Sequence, residues 1–141
     1  MTRKLVLAAY IISSALLVTS NVSAAEKIIE ATPSIKWAPK VTNTVVGDVI
    51  VWRIADEEDP GLHGLRITNW AAVKDHVEED LVPGQPSFFD LTKGENVAKT
   101  SERNKGLLRL RIISVPPAPA KITFNCMQHG SIMSGEVKVG Q

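Results

Sequence analysis

The chain is short of the residues that most functions require. It has one cysteine, three histidines, one tyrosine and no marked excess of either charge. Near-neutral charge with plentiful apolar residues argues against a disordered tail or a nucleic-acid-binding arm. No Ser, His and carboxylate set forms a hydrolytic triad, and the lone cysteine has no acyl-transfer context, so an enzyme is not expected. The three histidines, His63, His76 and His129, form no His-x-His pair for a trinuclear oxidase centre, and one cysteine excludes the Cys-x3-Cys of a dinuclear centre. Nor does any apolar run reach the roughly 20 residues that span a bilayer as a helix. Repeats and low-complexity tracts are lacking too, which leaves a chain of the size of about one domain.

What is present begins with an address. Met1-Thr2-Arg3-Lys4 is followed by an uncharged, mostly apolar run from Leu5 to about Val18, then by Asn21-Val22-Ser23-Ala24-Ala25. A basic start, a short apolar stretch and small residues at its end are the parts of a secretory signal peptide. Residues 1 to 24 are read as that peptide, cleaved after Ala24, and residues 25 to 141 as the exported domain, periplasmic or otherwise outside the cytoplasm. An uncleaved segment would be the only membrane attachment, and it would still leave the folded part exported. In such a compartment cysteines are normally even in number and paired. A single Cys126 therefore calls for a reason: an inert buried thiol, an intermolecular disulfide, a nucleophile or a metal ligand.

The rest of the chain is patterned for strands. Runs rich in Val, Ile and aromatics, separated by Gly, Pro, Asn and Asp, cover Ile35–Trp37, Val41–Val46, Val49–Ala55, Leu65–Thr68, Ser87–Leu91, Leu108–Val115, Lys121–Cys126 and Glu136–Val139. Leu108, Leu110 and Ile112 alternate with Arg109 and Arg111, and Ile122 and Phe124 with Lys121, Thr123 and Asn125, which predicts one buried face and one wet one. The arginines are read as a solvated strand face. Between the strands, Trp70, Val73, Val77 and Leu81 recur near helical spacing, after Asn69 as an N-cap and before Pro83-Gly84 as a stop, predicting a short helix or helical flap. His76 lies there among charged residues and is left out of any site. Gly94 to Gly106 reads as a long polar loop. The expected fold is an all-β sandwich.

The chemistry concentrates in Phe124-Asn125-Cys126-Met127-Gln128-His129-Gly130-Ser131-Ile132-Met133-Ser134-Gly135. A thiolate, an imidazole and a thioether in one short loop between strands can be aimed at a single point. Soft sulfur suits Cu(I), imidazole suits both oxidation states, and two histidines with one cysteine and a weak axial Met are the blue-copper set. The second histidine must come from elsewhere, and His63, in Pro60-Gly61-Leu62-His63-Gly64, is the good candidate.

These residues carry a resemblance. Gly47-Asp48-Val49-Ile50-Val51-Trp52, a lone histidine opening the next strand, and the C-terminal Phe-x-Cys-x2-His-x3-Met-x-Gly-x-Val-x-Val resemble the cupredoxins: plastocyanins, amicyanins, pseudoazurins and azurins. The resemblance runs from about Ile35 to Val139. It implies a Greek-key β-sandwich or barrel with one copper ion at one end, His63, Cys126 and His129 as equatorial ligands, and Met133 as the axial one. Met127 is a rival thioether, but as the neighbour of Cys126 it should point to the opposite side. Three features depart from the family pattern: a His129-to-Met133 gap between those of plastocyanin and amicyanin, Gly64 where many relatives have Asn, and the charged Gly94 to Gly106 stretch.

The expected function is one-electron transfer by a monomer through Cu(I)/Cu(II) cycling. The resemblance implies a ring edge of His129 exposed through an apolar surface, with Leu62, Met127, Gly130 and Ile132 as its lining. A redox protein such as a c-type cytochrome or a copper-containing acceptor would be the partner. Asp56-Glu57-Glu58-Asp59 beside His63 is a solvated turn that would also steer a basic partner. The alternatives are a periplasmic copper carrier with the same ligands and a metal-free β-sandwich that docks onto a larger complex.

Overall fold

In the computed structural model, residues 24–54, 63–84, 86–96 and 108–140 are described. The apolar leader, the acid run at 56–59, Leu62 and most of the 94–106 stretch lie outside the described residues. What is described is two β-sheets facing each other across one apolar core. The strands are β1 (Glu26–Thr32), β2 (Lys36–Ala38), β3 (Val41–Val45), β4 (Val49–Ile54), β5 (Leu65–Ile67), β6 (Val77–Glu79), β7 (Phe89–Asp90), β8 (Glu95–Asn96), β9 (Leu108–Ile112), β10 (Lys121–Cys126) and β11 (Gly130–Gly140). One sheet has the order β2-β1-β4-β9-β6 and the other β3-β11-β10-β5-β8-β7. Both are mixed, with β1 parallel to β4 and β3 parallel to β11 among otherwise antiparallel pairs.

Alternation decides which side chains meet in the core. On β9 Leu108, Leu110 and Ile112 are buried, and on β10 Ile122, Phe124 and Cys126, as the period of two requires. Phe124 lies edge-on between Trp37 and Trp52, with ring centroids 5.6 and 5.5 Å apart. Such aromatic pairs each add about 0.5–1.5 kcal/mol beyond burial, so this trio fastens β10 to the opposite sheet. Gly135 makes room for it: a Cβ there would come within 2.5 Å of the Phe124 ring and 2.8 Å of the Lys40 carbonyl oxygen.

The helical expectation holds for one turn only. An α-helix, α1 (Trp70–Val73), passes into a 3-10 turn at Lys74–His76 and then into β6, which pairs with β9. Trp70, Val73 and Val77 are buried, but Leu81 is 54% exposed. The apparent helical period thus arises from a helical turn followed by a strand that share one core face. Asn69 does not cap the helix with its side chain. Its amide nitrogen donates to the Lys121 carbonyl (2.8 Å) and its Oδ1 accepts from the Thr123 N–H (2.9 Å), tying the turn to β10.

Arg109 and Arg111 are more engaged than a solvated face implies. Both guanidinium groups donate to the Asp80 carboxylate, and Arg109 also reaches Glu26. Burial would push the Asp80 carboxyl up, but the two arginines outweigh it and hold the group below the usual carboxylate range. Among the described residues, no helix is long and apolar enough to cross a membrane.

Candidate metal centre

Cys126 is the last residue of β10 and the fifth beyond Lys121, so the alternation that buries Ile122 and Phe124 also turns its sulfur inward. β5 runs antiparallel to β10 with Leu65 opposite Cys126. His63, two residues before Leu65, therefore lies just past the same end of the sheet. The Met127 N–H continues the pairing by donating to the Gly64 carbonyl at 3.1 Å. On the other side β10 turns into β11 through Met127, Gln128 and His129, and Cys126 pairs with Gly130. Two loops distant in sequence thus meet at one sheet end.

The three donors converge. The Nδ1 of His63 lies 3.9 Å from the Cys126 Sγ, and the Nδ1 of His129 lies 3.4 Å from it. The imidazole rings stand 5.3 Å apart between centroids. One donor atom from each residue falls within 4.8 Å of the others. His63 is 1% exposed and Cys126 fully buried, while His129 is partly exposed. The set is soft sulfur plus two imidazoles, the donor chemistry that selects copper or zinc over hard cations.

The spacing fits an ion. Bonds of roughly 2.0 Å to imidazole nitrogen and roughly 2.3 Å to thiolate sulfur, opened to a trigonal angle, put nitrogen and sulfur about 3.7 Å apart. The two observed separations lie on either side of that value. A Cβ on residue 64 would stand 3.2 Å from the Gln128 Oε1 and 3.3 Å from the Met127 sulfur. Gly64 therefore lets the two loops close on each other, and the backbone bond from Met127 ties them together there.

Met133 comes from an irregularity in the ladder. Asn125 pairs with Ser134 but Cys126 with Gly130, so Ser131, Ile132 and Met133 are extra residues on the β11 side of the step. Of these, Met133 is 1% exposed and Ile132 85% exposed. The Trp37 indole N–H donates to the Met133 carbonyl at 3.1 Å and holds the bulge against the first sheet. Met127, by contrast, is exposed. Gln128 was not singled out by sequence reasoning, yet its Oε1 lies 3.7 Å from the Cys126 sulfur. A two-residue link, Met127-Gln128, between two metal-binding residue types was the available signal, because the side chains of so short a loop lie close to the donors. His76 takes no part: its Nδ1 is 2.8 Å from the Ser114 hydroxyl.

Two mixed sheets packed face to face, with the donors gathered at one end, reproduce the architecture that the sequence resemblance implies. The fold is cupredoxin-like. No protein-family model matches the chain, and no curated protein does. Solved structures similar to it include an amicyanin mutant in the Cu(I) form, at 12% identity over 82% of this chain and 82% of that one, with a TM-score of 0.49. Native pseudoazurin from Hyphomicrobium denitrificans matches at 13% identity over 82% of this chain and 76% of that one, TM-score 0.49. A reduced amicyanin mutant matches at 11% identity over 85% and 87%, TM-score 0.49.

Proposed function

We propose that the protein is an exported, mononuclear copper protein that passes single electrons between redox partners. His63, Cys126 and His129 would hold the ion, with the Met133 thioether as a fourth, weaker donor. The observation that carries the reading is the approach of two imidazole Nδ1 atoms to one buried sulfur from separate loops. Bound copper supplies a one-electron Cu(I)/Cu(II) couple with the soft and borderline donors that both states accept.

The chain's part is to hold the donors still. Cys126 sits on a strand in mid-sheet, His63 is buried one residue before the loop-to-loop hydrogen bond at Gly64, and Trp37 pins the Met133 carbonyl. Ligands fixed by packing and hydrogen bonds move little between oxidation states, which keeps the cost of reorganisation low. His129 is the partly exposed ligand, and exposed Met127 and Ile132 flank it in sequence. An apolar surface around a ligand edge lets a partner approach without stripping tightly held water. A c-type cytochrome or a copper-containing acceptor is the class of partner, with the acids at 56–59 steering a basic one.

The test is electrochemical. Exported protein loaded with Cu(II) should show an intense thiolate-to-copper band, a reversible one-electron wave and rapid self-exchange, and Cys126→Ala should lose the band. Copper uptake with slow self-exchange would identify a carrier instead, and a colourless protein that takes up no copper would overturn the reading altogether.

A further inference from the structure

At the other end of the sandwich a buried carboxylate receives the backbone nitrogen of Ala25. Asp48 immediately precedes β4, is 4% exposed, and among the described residues forms no ion pair with a lysine or arginine. Its Oδ1 accepts from the Ala25 N–H at 3.0 Å, and its Oδ2 from the Thr44 hydroxyl at 3.1 Å and the Val45 N–H at 3.2 Å. Ala25 is held on its other side as well, since its carbonyl accepts from the Val49 N–H at 2.9 Å. Ala24, one residue earlier, is exposed. The boundary between solvent and packed structure thus falls on the bond where Val22-Ser23-Ala24 offers small residues to a signal peptidase.

We infer that Asp48 is the receptor for the α-ammonium group of the mature protein, created by cleavage between Ala24 and Ala25. Hydrolysis adds water across that bond: the carboxyl group leaves with Ala24, and the amine stays on Ala25 and takes up a proton. A neutral amide donor to Asp48 becomes a cation at hydrogen-bond distance, and a buried carboxylate gains the counter-charge that buried charges require. Ala25 lines a shallow depression with Lys27, Asn43, Thr44, Asp48 and Lys138, which leaves room for the new group's other hydrogens and their water. The groups that face it are Asp48 and Thr44 on the favourable side, and the Lys27 and Lys138 ammonium groups as like charges. Arg111 approaches only as far as the Gly47 carbonyl, at 3.4 Å.

The site is remote from the copper ligands. Val45 pairs with Gly140, at the far end of the strand that begins at Gly130 beside Cys126. The inference therefore stands or falls separately from the copper reading, and the visible band should not register it.

The test exports the full chain in a bacterium and identifies the first residue of the purified product by N-terminal sequencing, which should give Ala25. The pH dependence of selective α-amine acylation then reports that group's pKa. Ion pairing in the folded state raises it above the ordinary value of about 7.7–8.0, so acylation near pH 7 slows about tenfold for each unit gained. A raised pKa means that the contribution to stability is complete below the unfolded value and is lost as pH rises through the folded one. Asp48→Asn should return the acylation profile to the ordinary value. Should that variant not fold, wild type with its terminal amine converted to a ketone serves instead, and its melting temperature should lose the alkaline slope. A first residue other than Ala25, or an α-amine that titrates at the ordinary value in the folded wild type, would overturn the inference.

Discussion

Two polar regions of this molecule are built on opposite principles. On the outer face and far end of the first sheet, unlike groups are matched: Asp80 sits between Arg109 and Arg111, and each Asp48 oxygen accepts a donor hydrogen from this chain. At the Cys126 end, groups of one kind are gathered, two imidazole nitrogens and a sulfur, all able to give an electron pair to the same cation. The first arrangement is complete within the polypeptide and contributes stability. The second is assembled at the ends of strands whose packing is fixed elsewhere, by Phe124, Trp37 and Trp52. Stability and ligand chemistry are therefore expected to separate under mutation.

The largest expected effect is a clean loss at one end. Cys126→Ala should abolish the thiolate-to-copper band while the metal-free protein keeps its circular dichroism, because one sulfur is removed from a strand end and the aromatic trio is untouched. The reverse follows for Asp80→Ala, which strands two partly buried guanidinium groups beside each other. Losing charge-assisted hydrogen bonds of about 1.5–3 kcal/mol each, partly offset by water at this half-exposed site, should cost roughly 1–3 kcal/mol in denaturant unfolding. Its copper spectrum should stay as in wild type. If Asp80→Ala also shifted the band, the two regions would not be independent.

Acid should act on the same side as Asp80→Ala. Burial pushes the Asp48 carboxyl up, but the N–H groups of Ala25 and Val45 and the Thr44 hydroxyl outweigh it and hold it below the usual carboxylate range, as the arginines do for Asp80. A depressed folded value means stability that is present above the unfolded pKa of about 3.9 and is lost as pH falls through the folded value. Thermal melts of metal-free protein should therefore decline below about pH 4. Asp48→Asn combined with Asp80→Asn should flatten that decline. The smallest effect belongs to Met133→Leu, a volume-conserving change that costs under about 1.5 kcal/mol. It should shift the reduction potential and the band of the copper protein with little change in melting.

The comparison also shows what the sequence could reveal. The Cys126 end was legible because chemistry and spacing coincide in one loop, and because His63 is the histidine next to a strand that can pair with β10. Its backbone support was not. Nothing local in Met127, Gly64 or Trp37 signals a hydrogen bond between loops far apart in sequence, or an indole donating to the Met133 carbonyl 96 residues away. β1 was missed for a related reason: Glu26-Lys27-Ile28-Ile29-Glu30-Ala31-Thr32 has no strong alternation, and its strand state is imposed by parallel pairing with β4. β11 proved longer than Glu136–Val139 because the site loop itself is drawn into the ladder from Gly130 onward. The pairing of Arg109 and Arg111 with Asp80 depends on β6 lying beside β9, which a helical reading of the Trp70 to Leu81 pattern concealed.

The most direct test is copper K-edge X-ray absorption of the loaded protein in both oxidation states. One short sulfur scatterer and two imidazole nitrogens are expected around each copper, with bond lengths that change little on reduction. A copper shell made of oxygen, or one lacking the sulfur, would contradict this ligand set.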